Sequence, residues 1–334
     1  MKIAARLFVL ALAVGLALSA SAQRRAVAPL RAAAPPSPGR GYVRLWDWAR
    51  LNNFDIRWLQ RDKVLELSSH RGSRLVFTAE SREAQINGIK VLLSFPLAVG
   101  NSVGWISSLD LRAAVQPVLY PLKNPRGAKI KNIVLDPGHG GKDPGYQGRS
   151  YQEKKYTLLL AQELRDQLLR AGFNVSLTRS TDAFVDLPVR PDLANRRRAD
   201  LFISLHFNAV ESGVNQVSGS QVYCMTPVGA SSTNARGAGA EAAASIGNRN
   251  DAKNILLAYQ LQKSLTRNLG AEDRGVCRGR LAVLRDATMP AVLIEGGYLS
   301  HPVEGRKIVD PAYRRQMAKA IVNGVLAYKD LVEQ

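Results

Sequence analysis

From Ile130 onward, short apolar runs alternate with longer segments in which apolar residues recur at helical spacing. The runs Ile130–Asp136, Phe173–Thr178, Leu201–Leu205, Gly219–Met225, Leu281–Leu284 and Ala291–Ile294 read as strands. Glu153–Ala171, Leu193–Ala199, Asn254–Leu269 and Tyr313–Leu331 read as helices. Strands apolar on both faces and separated by helices predict an α/β fold, a twisted, mainly parallel sheet of about six strands flanked by helices. This unit is placed at residues 128–332.

The preceding stretch, residues 42–121, has a different rhythm. Val43–Asn53 has helical spacing, and alternating runs follow at Asp55–Gln60, Lys63–Ser68, Arg74–Thr78, Ala84–Ile86 and Ile89–Phe95. Asn87-Gly88 between the last two is a two-residue hairpin signal. Trp105–Ser107 adds a strand and Leu109–Leu119 a closing helix, so the stretch reads as a small α+β module. Pro117, Pro121, Pro125 and Gly127 mark the linker to the second unit.

Residues 1–22 have the pattern of an export signal. Lys2 and Arg6 precede the apolar run Leu7–Leu18, and Ala20-Ser21-Ala22 fits a small-x-small cleavage site. Residues 23–41, rich in Arg, Pro and Ala, read as a flexible basic linker. No later stretch reaches transmembrane length, so an exported chain in the periplasm or cell envelope is expected. The net charge of +19 then points to an anionic envelope polymer or membrane surface as partner, with a solubilising surface charge as the competing reading. Basic and aromatic residues are not interleaved as in single-strand binders, which argues against nucleic acid. Cys224 and Cys277 can form a bridge or remain two buried thiols, and neither has the Cys-x-x-Cys spacing of a thiolate metal site.

The candidate chemistry sits at the ends of the apolar runs. Ile133-Val134-Leu135 breaks into Asp136-Pro137-Gly138-His139-Gly140-Gly141, and Leu201–Leu205 runs directly into His206. Two of the four histidines therefore lie at the C-terminal ends of strands, the edge at which α/β sheets bind ligands. A catalytic zinc takes three protein ligands and keeps one position open. Glu153, opening the next helix, can face the same rim, or it can be a negative charge at a helix N-terminus. A further strand, Ala291–Ile294, ends in Glu295-Gly296-Gly297. Asp136 and Asn208 flank the histidines as candidate supporting groups, with turn formation as the competing role.

These segments together resemble the zinc-dependent N-acetylmuramoyl-L-alanine amidases of bacterial cell walls. Asp136–Gly141, Glu153-Lys154, Ala199–Asn208 and Glu295–His301 match that family's motifs in order. Leu177-Thr178-Arg179, Leu187, Arg190, Arg274-Gly275-Val276, Val283-Leu284-Arg285 and Met289-Pro290 agree as intermediate landmarks. Tyr298 stands where the family has Phe, and His301 where it has Asn; His301 reads as a loop residue and His70 as a surface turn residue. The resemblance implies one zinc per chain held by His139, Glu153 and His206, with Glu295 as general base. It further implies peptidoglycan as substrate, cut between N-acetylmuramic acid and the L-alanine of the stem peptide, and an envelope activator as candidate partner. Some family members cover the zinc with a glutamate-bearing helix; Glu241, in the small-residue loop after Tyr223, is the residue here that could do so. The 42–121 module resembles the copper amine oxidase N-terminal-like domain, without a His/Cys cluster for copper.

Overall fold

The computed structural model describes residues 41–148, 151–233 and 243–333. Eleven strands form one sheet. They are β1 (Phe54–Gln60), β2 (Val64–Ser69), β3 (Arg74–Thr78), β4 (Glu83–Ile86) and β5 (Ile89–Leu92) in the first half. The second half adds β6 (Asn132–Pro137), β7 (Asn174–Leu177), β8 (Leu201–Asn208), β9 (Ser220–Met225), β10 (Asp273–Gly279) and β11 (Ala291–Tyr298). Their spatial order is β7-β6-β8-β11-β9-β10-β5-β4-β3-β2-β1. Pairing is parallel from β7 to β11, antiparallel between β11 and β9, and parallel again from β9 through β10 to β5. The first five strands are an antiparallel meander.

Alternation along β6 shows how the sheet is buried on both sides. Ile133 and Leu135 join the larger core, whereas Val134 between them joins the smaller one on the opposite face. The larger core is covered by α1 (Glu153–Arg170), α3 (Asp251–Leu269) and α4 (Pro311–Glu333), which contribute Leu160, Leu164, Leu257, Leu261, Ile321 and Val325. The smaller core lies under α2 (Val189–Arg196) and a short helix at Ala282–Arg285. Among the described residues no helix is long and apolar enough to cross a membrane.

The two units expected from the sequence share this sheet and its larger core. Val91 of β5 pairs with Val276 of β10, and Leu65, Leu75, Phe77, Ile86 and Val91 belong to the same core as the second half. Tyr259 of α3 donates to the carbonyl of Ile86 at 3.0 Å, closing the join from the helix side. The Asn87-Gly88 turn forms with both residues at positive φ, as a tight hairpin requires.

One expected strand is corrected. Leu281–Leu284 is not a strand; residues 282–285 form a helical turn, and the strand is Asp273–Gly279 before it. A four-residue apolar run has too little length for its period to separate strand from helix. The real strand is disguised by Gly275, Gly279 and two arginines. One of these, Arg278, is buried and donates to Met225 O at 3.3 Å, to Cys224 Sγ at 3.2 Å and to Ala113 O. The cysteines are two free buried thiols. Cys277 is in register with Tyr223, so Cys224, one residue along, projects from the opposite face of the sheet.

Candidate metal centre

The loop after β6 is built to present one imidazole. His139 itself adopts φ +63°, and Asp143-Pro144-Gly145 turns the chain back toward α1. Gly138 has no alternative, since a Cβ there would lie 2.3 Å from the His206 ring. Gly145, at φ +63°, passes so close to Glu153 that a Cβ would meet its Oε2 at 2.6 Å. Two buried arginines hold the loop by its carbonyls. Arg179 donates to Pro137 O at 3.0 Å and to Gly138 O at 2.7 Å. Arg190 donates to Pro137 O at 3.0 Å and to His139 O at 2.9 Å.

The loop, β8 and α1 bring three side chains together. His139 Nε2 lies 3.1 Å from Glu153 Oε2, and His206 Nδ1 lies 3.1 Å from Glu153 Oε1. The two rings stand edge to face with centroids 4.9 Å apart. Backbone N–H groups of Tyr146 and Phe207 donate to the same carboxylate at 3.0 and 3.1 Å. Burial opposes ionisation of Glu153, but bonds from both histidines overcome it and hold the carboxyl far below the usual range. Burial likewise opposes protonation of His139, and Glu153 with Asp143 overcomes it, leaving the imidazole above its ordinary value.

Glu295 is the parallel strand partner of His206 and lines the same cleft, an opening of about 450 Å³ with Tyr146, Asn208 and Glu211 on its walls. Its Oε2 is buried and has no hydrogen-bond partner among the described residues. Burial, reinforced by the charge of Glu153, raises its pKa well above the ordinary carboxylate value.

The remaining sequence candidates fall as follows. Asp136 is buried and touches neither imidazole; it accepts from Thr178 at 2.6 Å, Ser204 at 2.7 Å and Arg190 at 2.8 Å. Asn208 lines the cleft and caps its own strand end by accepting from Ala209 N at 2.8 Å. His301 is a loop residue that accepts from the N–H groups of Val303 and Glu304. Glu241 and the export signal lie outside the described residues. Asp143 was not singled out from the sequence, where an acid before Pro-Gly reads as a turn former. Its Oδ2 accepts a hydrogen bond from His139 Nδ1 at 2.8 Å, which leaves Nε2 to face the centre.

Among the described residues, His139, Glu153 and His206 are the group able to hold a metal ion, with ligand atoms all within 4.8 Å of one another. Two imidazoles and one carboxylate suit zinc, and three ligands beside an open cleft leave room for water or substrate.

Fold and site together define an α/β domain with a His-Glu-His group able to hold a metal ion at the C-terminal edge of its sheet. The family model described as N-acetylmuramoyl-L-alanine amidase matches residues 133–327, and the chain belongs to this family. It is 36% identical over 226 residues to the N-acetylmuramoyl-L-alanine amidase AmiC of Neisseria meningitidis, covering 61% of this chain and 54% of that protein. The chain thus spans about half the length of that relative. It is 32% identical over 243 residues to the probable cell wall amidase LytH of Staphylococcus saprophyticus, covering 72% and 70% of the two chains. The crystal structure of an N-acetylmuramoyl-L-alanine amidase from Clostridium difficile 630 superposes with a TM-score of 0.51 at 31% identity, covering 61% of this chain and 98% of that one.

Proposed function

We propose that the protein is a zinc-dependent peptidoglycan amidase that cleaves the amide joining the lactyl group of N-acetylmuramic acid to L-alanine. The observation that carries this reading is the meeting of His139, Glu153 and His206 within 4.8 Å, beside a carboxylate, Glu295, on the neighbouring strand.

In this reading His139, Glu153 and His206 would hold one zinc ion per chain. Zinc there would supply Lewis acidity toward the scissile carbonyl and toward the attacking water. Asp143 fixes the His139 tautomer by accepting from Nδ1. Glu295 takes a proton from the water as its oxygen adds to the lactyl carbonyl carbon. It then delivers that proton to the nitrogen of L-alanine as the C–N bond breaks. The products are a muramic acid carboxylate and a stem peptide with a free amino group. An unpartnered, buried Oε2 suits this role, because no donor among the described residues occupies the oxygen that is to receive the proton.

The substrate places the enzyme outside the cytoplasm, in keeping with the signal expected at residues 1–22. The domain then works in the periplasm or cell envelope, with peptidoglycan as its partner rather than nucleic acid and an envelope protein as candidate activator. Chelation tests the reading. A chelator should abolish release of stem peptide from a muramoyl peptide, and one equivalent of zinc should restore it. Full activity in metal-free protein would contradict the proposal.

A further inference from the structure

The sheet carries the candidate site further than the metal centre. Glu295 lies in the C-terminal half of β11; its antiparallel partner is Gln221, near the start of β9. Arg274 begins β10 beside it, and Lys90 begins β5 beyond. All four residues therefore lie along one edge of the sheet, the edge that also carries His139 and His206. A second hollow, about 270 Å³, opens there between the first-half strands and the second, lined by Lys90, Leu92, Gln221, Tyr223 and Arg274. It adjoins the metal cleft through two contacts. Arg274 lies over the ring of Tyr298 at 5.3 Å, and Tyr298 is the strand partner of Asn208, which lines that cleft.

Charge and span identify what this hollow can take. Both cations are only loosely paired: Arg274 lies 3.8 Å from Glu272 and Lys90 lies 3.7 Å from Glu83, ion pairs longer than a hydrogen bond, and Arg274 Nη1 donates weakly to Ser218 O at 3.4 Å. Arg274 Nε is buried and has no hydrogen-bond partner among the described residues. Lys90 is held in place by its backbone, whose N–H donates to Asp273 Oδ2 at 2.7 Å. Three strand spacings separate Glu295 from Lys90, about 14 Å. An extended peptide covers that distance in about four residues.

We propose that this groove is a subsite for the stem peptide, in which Arg274 and Lys90 bind its carboxylates and β5 of the first-half meander forms the distal wall. The inference rests on the amidase reading above. It gives residues 42–121 a function in the site itself, selecting substrates whose peptide is long enough and acidic enough to reach Lys90. Glu83 and Glu272 on the same walls favour a peptide that also carries a free amine.

The test compares kcat/KM for a muramoyl tetrapeptide and a muramoyl dipeptide, using the full chain loaded with zinc. Wild-type protein should prefer the tetrapeptide. Lys90→Glu should cut that preference about ten-fold, the size of one charge-assisted contact, chiefly through KM on the longer substrate, and Lys90→Arg should restore most of it. Lys319→Glu, on α4, makes the same charge change and should leave the ratio as it was. Equal losses on both substrates, or an unaltered ratio, in Lys90→Glu would overturn the subsite while leaving the amidase reading standing. Failure of wild-type protein to hydrolyse either substrate would overturn the amidase reading, and the subsite with it.

Discussion

Arg190 joins Asp136 to His139: its Nη1 pairs with the buried Asp136 carboxylate at 2.8 Å, and its Nη2 donates to the His139 carbonyl at 2.9 Å. A fully buried ion pair is costly to break from one side, because the remaining charge is left without compensation. Arg190→Leu should destabilise the fold by about 3–5 kcal/mol, as read by urea denaturation. It should also weaken zinc binding ten-fold or more, since the carbonyl that fixes the His139 loop loses its donor. A variant with unchanged zinc affinity would show that the loop keeps its shape without Arg190.

The proton balance at His139 gives a pH dependence. Metal binding needs its neutral imidazole, and Glu153 with Asp143 lifts its pKa above the ordinary 6.5. Protons therefore begin to compete with zinc at a pH above 6.5, and apparent affinity falls as pH drops through that raised value. Asp143→Asn removes one of the lifting charges and should move the onset downward. Competition titrations with a chromophoric chelator across pH measure it. An onset below 6.5 in wild-type protein, or no movement in the variant, would count against the pairing.

Roles within the centre separate by metal content. Glu295→Gln should lower turnover by about 10²–10⁴-fold while zinc stays near one per chain, because Glu295 is assigned proton transfer. His139→Ala and His206→Ala should instead lose the metal, measured by plasma mass spectrometry on dialysed protein. Zinc loss in Glu295→Gln as complete as in the histidine variants would reassign Glu295 to coordination.

The sequence exposed most of this site for a simple reason. His139, His206 and Glu295 each end a run of apolar residues, and a buried strand must deliver its last residue to the sheet edge. Glu153 was readable as either a ligand or a helix-end charge, and only the facing imidazoles at 3.1 Å distinguish the two. Asp143 was hidden because Asp-Pro-Gly already has a sufficient explanation as a turn. Arg190 lies inside α2, which begins at Val189 and thus four residues before the helical pattern is evident from Leu193. The union of the two halves was invisible for a different cause. A parallel pair such as Val91 and Val276 involves residues remote in sequence and leaves no local periodicity. Strand β10 was obscured because two arginines and two glycines break its apolar pattern. Arg278 reads as a surface residue until its partners Met225, Cys224 and Ala113 are placed around it.

The central claim is the identity of the bond that is cut. Purified peptidoglycan sacculi should be digested with the zinc-loaded protein and the soluble products weighed by mass spectrometry. The expected products are intact stem peptides with a free L-alanine amino group, together with glycan strands whose lactyl groups end in carboxylates. Peptides cut within the stem, or shortened glycan chains with peptides still attached, would contradict the assignment.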